Sequence, residues 1–138
     1  MSSLLSKKNM TEEDIKLRYI TPAITAKWNV ENITMETQIT DGQYNLRGNI
    51  ASRGPAKRAD YLLYINANNP IAVVEAKDNN HSISHGLQQA MAYAQMLDLP
   101  FAYSSNGDGF AEHDFLTGKE RNITIKRISQ SGRINCPL

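Results

Sequence analysis

The sequence predicts an α+β protein in which helices pack on a mixed central β-sheet. Two apolar, strand-like runs at 59–66 and 71–77 are separated by a loop of hairpin length, which favours antiparallel pairing. A stretch with helical periodicity follows the second run, and another short apolar run follows the helix. Because a helix between two strands is typical of a parallel crossover, the sheet is expected to combine an antiparallel meander with a parallel connection.

The chain is expected to begin with a loose tail over residues 1–10 and a helix from 11 to about 27. Thr11 followed by three acidic residues is typical of a capped helix start. Apolar residues then recur at helical spacing between 17 and 24. Pro22 lies inside this helix and predicts either a kink or a break into two shorter pieces.

Strands and turns are predicted over most of the remaining chain. Residues 32–40 alternate in the manner of a half-buried strand, and residues 41–58 are expected to form a long turn region because glycine and proline are frequent there. After Asn80, one apolar helical face comprises Leu87, Ala90, Met91, Ala94 and Leu97. The last expected elements are strands at 100–105, 110–115 and 122–128, with a turn at 106–109.

Composition predicts a single cytoplasmic domain. The 138 residues are 41% hydrophobic and 21% charged, which is ordinary for a globular protein. No apolar run is long enough to span a membrane, and the N-terminus lacks the apolar core of an export signal. The single cysteine, Cys136, excludes an internal disulfide and a cysteine-built zinc site. A net charge of +1 argues against a dedicated, tight nucleic-acid binder.

Three charged residues are expected to meet at one end of the sheet. Glu75 and Lys77 are two apart in a strand and therefore share a face, and Asp60 opens the preceding strand. Antiparallel pairing across the turn brings Asp60 close to Lys77 and Asp78, within reach of Glu75. Asp60 and Glu75, with the backbone carbonyl of Ala76, could hold Mg²⁺, which prefers oxygen ligands. The alternative is an ordinary cross-strand ion pair, and the spacing of these residues alone leaves it open.

Gln89 and Tyr93 lie four apart on the following helix and therefore on one face of it. Taken alone, Tyr93 could be a core aromatic residue and Gln89 a boundary residue. A separate basic cluster, which includes Lys57 and Arg58, and the nearby His81 are candidates for contacts with DNA phosphates, although such clusters are also common on solvated surfaces.

Together these residues resemble a known nuclease superfamily. Asp60, "EAK" at 75–77 and "QAMAY" at 89–93 follow the D…(D/E)-x-K…Q-x3-Y pattern of PD-(D/E)xK nucleases of the RecB-like branch. The segments "RADYLLYINANNPIAVVEAKDNN" and "GLQQAMAYAQMLDLPFAYSSNGDGFAEHD" resemble the N-terminal endonuclease domain of type I restriction enzyme R (HsdR) subunits. The likeness extends over residues 11–118 and implies a restriction-endonuclease-like fold.

The resemblance implies a role for each matching residue. It implies that Asp60 and Glu75 are metal-binding acids, that Lys77 is a catalytic lysine, and that Gln89 and Tyr93 support the site and contact DNA. It also implies an acid on the first helix, for which Glu12 is the candidate, with Glu13 and Asp14 as alternatives. The implied cofactor is Mg²⁺ and the implied substrate is duplex DNA.

The resemblance also implies partners that this sequence does not contain. R subunits of this family continue into an ATP-driven motor and work with modification and specificity subunits. No G-x4-G-K-[ST] phosphate loop occurs in the 138 residues, so ATP is expected to serve only a motor outside this chain. The basic segment 119–138 is expected to begin a linker to that motor. The alternatives are a stand-alone RecB-like or repair nuclease, and an inactive nuclease-fold docking module.

Overall fold

A computed structural model describes residues 6–39, 57–66 and 68–124. Its centre is a six-stranded sheet in which the spatial order of the strands equals their order in the chain. The strands are β1 (Ile33–Ile39), β2 (Lys57–Asn66), β3 (Asn69–Ala76), β4 (Phe101–Ser105), β5 (Gly109–Asp114) and β6 (Lys119–Thr124). The expected turn region 41–58 lies outside the described residues as far as residue 56, and its last two residues belong to β2.

The sheet is mixed, as the sequence predicts. The pairs β1–β2, β2–β3, β4–β5 and β5–β6 are antiparallel, whereas β3 and β4 are parallel. The chain crosses from β3 to β4 through the helix Leu87–Leu97, which we call the crossover helix. Within the described ranges, no helix is long and apolar enough to cross a membrane.

Pro22 neither ends nor divides the first helix. This N-terminal helix covers residues 12–25 and contains a π-helical turn, Lys16–Ile20, between two α-helical segments. The wider turn lies directly before Thr21 and Pro22, where a proline ring would otherwise crowd the preceding carbonyls of an α-helix. The helix start is capped as expected, because Thr11 and Asp14 exchange side-chain-to-backbone hydrogen bonds.

One helix covers each face of the sheet, and each face has its own apolar core. The N-terminal helix packs Ile15, Ile20 and Ile24 against one face, where Tyr61 and Tyr103 are fully buried. The crossover helix packs Leu87, Ala90, Tyr93 and Ala94 against the other face, together with Leu62, Val73 and Ala102. The start of β2 and the end of β3 therefore lie between the two helices, with Lys16 of the N-terminal helix near Asp60 and Gly86, directly before the crossover helix, near Glu75.

Two expected boundaries differ in the structure. The loose tail does not reach residue 10, because Lys7–Asn9 form a 3₁₀ turn. Met10 is buried in the core, with only 3% of its surface exposed. The basic segment 119–138 begins inside the sheet, since β6 pairs with β5. The last strand also lies a few residues earlier than the predicted 122–128, and residues beyond 124 lie outside the described part.

Candidate functional site

Asp60 and Glu75 face each other across the antiparallel strands β2 and β3. Tyr61 pairs with Val74, so Asp60 stands opposite Glu75. The backbone N–H of Asp60 donates to Glu75 Oε2 at 3.0 Å, and the N–H of Ala76 donates to Asp60 Oδ2 at 2.7 Å. Each carboxylate is therefore held by a main-chain donor of the sheet itself.

The register differs from the sequence-based prediction, in which Asp60 comes close to Lys77. Asn69 and Pro70 belong to β3 rather than to the turn, so the hairpin turn is shorter than expected. A shorter turn moves the pairing along the strand by two residues, which preserves the face but exchanges Lys77 for Glu75 as the partner of Asp60.

The two facing carboxyl groups both resist ionisation in the folded protein. Burial, followed by the charge of Asp60, raises the pKa of Glu75 to about 8, against the lowering effects of the Asp60 N–H and of Lys77. Burial also raises the pKa of Asp60, although the Ala76 N–H and Lys16 oppose this shift. A group that is hard to ionise in isolation becomes stable as an anion when a cation binds beside it.

Lys77 lies on the same side as Glu75, as strand alternation predicts, and both pack against Gly86. A Cβ atom placed on Gly86 would lie 3.4 Å from Glu75 Cβ, 3.4 Å from Lys77 Cε and 3.0 Å from Ser104 Oγ. The N–H of Gly86 donates to Ser104 Oγ at 3.0 Å, and this hydrogen bond is buried. Gly86 thus allows the start of the crossover helix to approach Glu75 and Lys77 closely.

Lys16 of the N-terminal helix reaches Asp60, one of the two facing carboxylates. Its Nζ lies 3.0 Å from Glu36 Oε2, 3.1 Å from Glu13 Oε2 and 3.5 Å from Asp60 Oδ1, and its side chain is only 2% exposed. Burial alone would lower the pKa of Lys16, but the hydrogen bond that Lys16 donates to Glu36 and the charge of Asp60 outweigh it and raise the pKa. Lys16 is therefore a fixed positive charge beside Asp60.

Glu12, one of the three acids at the start of the N-terminal helix, lies in the field of Asp60. Burial and then the charge of Asp60 raise its pKa, while Lys16 and Lys77 lower it. Asp14 is occupied by the capping bond to the N–H of Thr11, and Glu13 bonds to Lys16. The geometry therefore favours Glu12 among the three candidates, and its role stays a prediction.

Gln89 and Tyr93 lie together on the crossover helix, as predicted from their spacing. Gln89 Nε2 donates to Tyr93 Oη at 2.7 Å. Burial raises the pKa of Tyr93; the bond from Gln89 lowers it, and the charges of Glu75 and Asp60 raise it further. The charges of both carboxylates therefore act on the hydroxyl of Tyr93, whose side chain also packs in the core at 7% exposure.

The three predicted phosphate contacts lie on the surface. Lys57 and Arg58 are exposed at the start of β2, directly before Ala59 and Asp60. The side chain of His81 is 40% exposed, its Nδ1 lies at hydrogen-bond distance, 3.0 Å, from the carboxylate of Asp78, and its ring lies 4.3 Å from that of His85 at a tilt of 44°. Contact between these residues and DNA stays a prediction.

The oxygen donors at this site fit a hard divalent cation. In the part of the chain that the structure describes, no three histidine, cysteine or acidic side chains converge as a ready-made metal cage. Asp60 and Glu75 supply two carboxylates, and Mg²⁺ is commonly bound through one or two carboxylates with water and substrate phosphate completing its shell. The chemistry of the oxygen donors therefore suits Mg²⁺.

Gly86, Ser104 and Glu36 are site neighbours that the sequence-based analysis did not single out. The sequence signal for Gly86 is a glycine directly before a helical stripe. Ser104 could be inferred only from the parallel pairing of β3 with β4, in which it stands opposite Glu75. Glu36 lies in a run that alternates like any half-buried strand, and no sequence signal marks it.

Comparisons with known proteins identify the family of the chain. Residues 43–121 match the family described as type I restriction enzyme R protein N terminus. The chain is 42% identical over 127 residues to the type I restriction enzyme EcoAI endonuclease subunit of Escherichia coli, a match that covers 91% of this chain and 16% of that protein.

A solved structure is also similar. It is a fragment of an HsdR subunit of a type I restriction enzyme from Vibrio vulnificus YJ016, with a TM-score of 0.71 and 39% identity. The match covers 88% of this chain and 25% of the solved chain, so the chain spans only a small part of the relatives it resembles. The likeness confirms the restriction-endonuclease-like fold that the sequence predicts. The family match covers more than half of the chain, and the chain therefore belongs to the family of N-terminal regions of type I restriction enzyme R proteins.

Proposed function

We propose that this chain is the Mg²⁺-dependent nuclease domain of a type I restriction enzyme R subunit. It hydrolyses phosphodiester bonds of duplex DNA and has no sequence preference of its own. The observation that carries the proposal is the facing pair of Asp60 and Glu75, each held by a backbone N–H, with Lys77 on the same face. Membership of the family supports the assignment.

Each residue of the site has a proposed task. Asp60, Glu75 and the carbonyl of Ala76 would hold Mg²⁺, which when bound supplies a Lewis acid and lowers the pKa of water. The ammonium of Lys77 offsets negative charge that develops on the phosphate being cleaved. Tyr93 and Gln89 are hydrogen-bonded to each other on the crossover helix and form one side of the site. Gln89 is exposed there and can contact the DNA backbone.

The domain is proposed to receive DNA from its partners rather than to find it alone. A net charge of +1 and a few surface cations, including Lys57, Arg58 and His81, support only weak, salt-dependent binding. Attachment to an ATP-driven motor, together with modification and specificity subunits, would raise the local concentration of DNA at the site. The named Escherichia coli relative is itself an endonuclease subunit.

The proposal is tested with an Asp60→Asn variant in the intact R subunit, assembled with its partner subunits. We expect Mg²⁺-dependent plasmid cleavage to fall by about 100-fold or more, because one of two metal-binding charges is removed. ATP hydrolysis by the motor is expected to persist. Asn can still accept the bond from the Ala76 N–H, so folding is expected to survive.

The matched control is Asp98→Asn. Asp98 is an exposed residue in the left-handed conformation at the end of the crossover helix, which asparagine also adopts readily. This control is expected to cut plasmid as the wild type does. Normal cleavage by Asp60→Asn would overturn the assignment.

A Gly86→Ala variant tests whether the crossover helix must approach Lys77 closely. The added methyl group would lie 3.0 Å from Ser104 Oγ, so Ser104 or the helix start has to give by a few tenths of an ångström, and Glu75 and Lys77, at 3.4 Å, are in contact with the part that moves. A displacement of a fraction of an ångström at a catalytic group lowers the rate steeply, and we expect cleavage to fall about tenfold or more. The measurement is the cleavage rate at saturating Mg²⁺, together with a thermal unfolding curve.

Ser84→Ala is the control for this variant, because Ser84 is exposed in the same turn. It is expected to leave cleavage unchanged. If Gly86→Ala cleaves at the wild-type rate, the close approach has no bearing on Lys77.

A further inference from the structure

Glu36 occupies an unusual position beside the candidate site. It is the residue of β1 that stands opposite Asp60, since its neighbours Met35 and Thr37 pair with Tyr61 and Ala59. Its φ is 55°, a left-handed conformation that a glutamate adopts at a cost of about 1 kcal/mol or more. Glu36 is exposed, so burial of an apolar group does not account for the conformation.

The carboxylate of Glu36 is directed at Lys16. Glu36 Oε2 lies 3.0 Å from Lys16 Nζ, closer than Glu13 at 3.1 Å or Asp60 at 3.5 Å. A buried ammonium requires anionic partners, and here three carboxylates share one cation. Because Glu36 and Glu13 hold the ammonium at hydrogen-bond distance, its contact with Asp60 is the longest of the three.

The oxygen that Lys16 approaches is the less occupied oxygen of Asp60. Asp60 Oδ2 already accepts the N–H of Ala76, whereas Oδ1 has Lys16 at 3.5 Å. An ammonium drawn to full contact with Oδ1 would compete with a metal ion for that oxygen and would repel it. The distance between Lys16 and Asp60 therefore affects how readily a cation binds.

We propose that Glu36 is a positioning residue that draws Lys16 away from Asp60 Oδ1 and so keeps that oxygen available to the metal. The inference rests on the proposed function, because it takes Asp60 as a metal ligand. Removal of the Glu36 charge leaves the buried Lys16 with one partner fewer, and its ammonium turns to Asp60. The result is weaker metal binding at an otherwise intact site.

The test is a set of metal-binding measurements on the 138-residue chain by calorimetry with Mn²⁺. Glu36→Gln keeps the shape and the backbone strain but removes the charge, and we expect its Mn²⁺ dissociation constant to rise about fivefold. Glu36→Asn, which adopts the left-handed conformation more easily, is expected to show the same rise and serves if the glutamine variant does not fold. Glu31→Gln, an exposed acid in the turn before β1, is the control and is expected to bind as the wild type does.

A double variant separates positioning from a general loss of negative charge. Lys16→Met combined with Glu36→Gln removes the competing ammonium, and we expect the dissociation constant to return to within about twofold of the wild type. If the double variant remains as weak as Glu36→Gln, the charge of Glu36 acts directly on the metal and the inference is wrong. It is equally wrong if Glu36→Gln and Glu36→Asn bind Mn²⁺ as tightly as the wild type.

Asp60→Asn, measured in the same way, distinguishes this inference from the proposed function. Loss of Mn²⁺ binding by Asp60→Asn with unchanged binding by both Glu36 variants overturns the role of Glu36 alone. Unchanged binding by Asp60→Asn overturns the assignment of Asp60 as a metal ligand, and the inference falls with it. In cleavage assays the Glu36 variants are expected to need about fivefold more Mg²⁺ and to approach the wild-type rate at saturation.

Discussion

Replacement of Lys77 by methionine is expected to lower DNA cleavage by about 100-fold to 1,000-fold while metal binding persists. Methionine preserves much of the aliphatic stem that packs against Gly86, so the change removes mainly the charge. The ammonium is proposed to act on the phosphate and not on the metal. Its loss removes a positive charge from beside Glu75, so the affinity for Mn²⁺ is expected to stay the same or to increase.

The contrast with Asp60→Asn makes this prediction specific, because that variant is expected to lose both cleavage and metal binding. The measurements are plasmid cleavage by the assembled enzyme and calorimetric titration of the chain with Mn²⁺. Lys119→Met is the matched control, since Lys119 is exposed on β6 and pairs with Asp114 at the far side of the sheet. Cleavage by Lys77→Met at the wild-type rate would remove Lys77 from the mechanism.

Replacement of Glu75 by glutamine is expected to stabilise the metal-free chain at alkaline pH. The pKa of Glu75 is 4.5 in an ordinary setting and rises to about 8 in the folded protein, chiefly through burial. Between these values the folded protein keeps the proton that the unfolded chain has lost, so the free energy of unfolding falls as the pH rises. The full penalty is present above pH 8 and is absent below about pH 4.5.

Glutamine avoids this penalty because it does not ionise, and its side-chain oxygen can still accept the N–H of Asp60. One pKa unit corresponds to about 1.4 kcal/mol, so Glu75→Gln is expected to gain about 2–4 kcal/mol over the wild type at pH 9. At pH 5 the gain is expected to be below about 1 kcal/mol. Urea unfolding in the presence of a chelator, at both pH values, measures the difference.

With metal present, the wild type is expected to be more stable than Glu75→Gln. A cation that binds between Asp60 and Glu75 stabilises the folded wild type by about 1.4 kcal/mol for each tenfold rise in its concentration above the dissociation constant, and Glu75→Gln should lack most of this gain. Glu31→Gln, which alters an exposed acid, is the control for general charge effects. An equal gain at pH 5 and pH 9 would show that the burial of Glu75 carries no penalty for ionisation.

Local patterns were sufficient for much of the architecture. Alternation in β3 placed Glu75 and Lys77 on one face, and helical spacing placed Gln89 beside Tyr93, as the structure shows. The mixed sheet was predictable because a hairpin followed by a helix and a strand has few other solutions. These features depend on neighbours in the chain, which the sequence displays directly.

Register and backbone strain were not predictable in the same way. Whether Asp60 meets Glu75 or Lys77 depended on Asn69 and Pro70 joining β3, and turn length is poorly marked in the sequence. A kink or a division of the first helix was expected at Pro22; the helix is not divided there, and the π-helical turn directly before Pro22 has no signal in the sequence. Both outcomes follow from packing of the whole element rather than from the preference of one residue.

The sequence by itself determined the layers of the fold, the shared face of Glu75 and Lys77 and the resemblance to restriction nucleases, because periodicity and motif spacing are local quantities. Only the tertiary structure decided which charges meet. Lys16 comes from the N-terminal helix, Glu36 from β1 and Gly86 from the start of the crossover helix, and no spacing in the sequence relates them. They lie beside Asp60, Glu75 and Lys77 because both helices pack on the sheet. A charge that is buried by this packing is stable only next to an opposite charge or a hydrogen-bond partner.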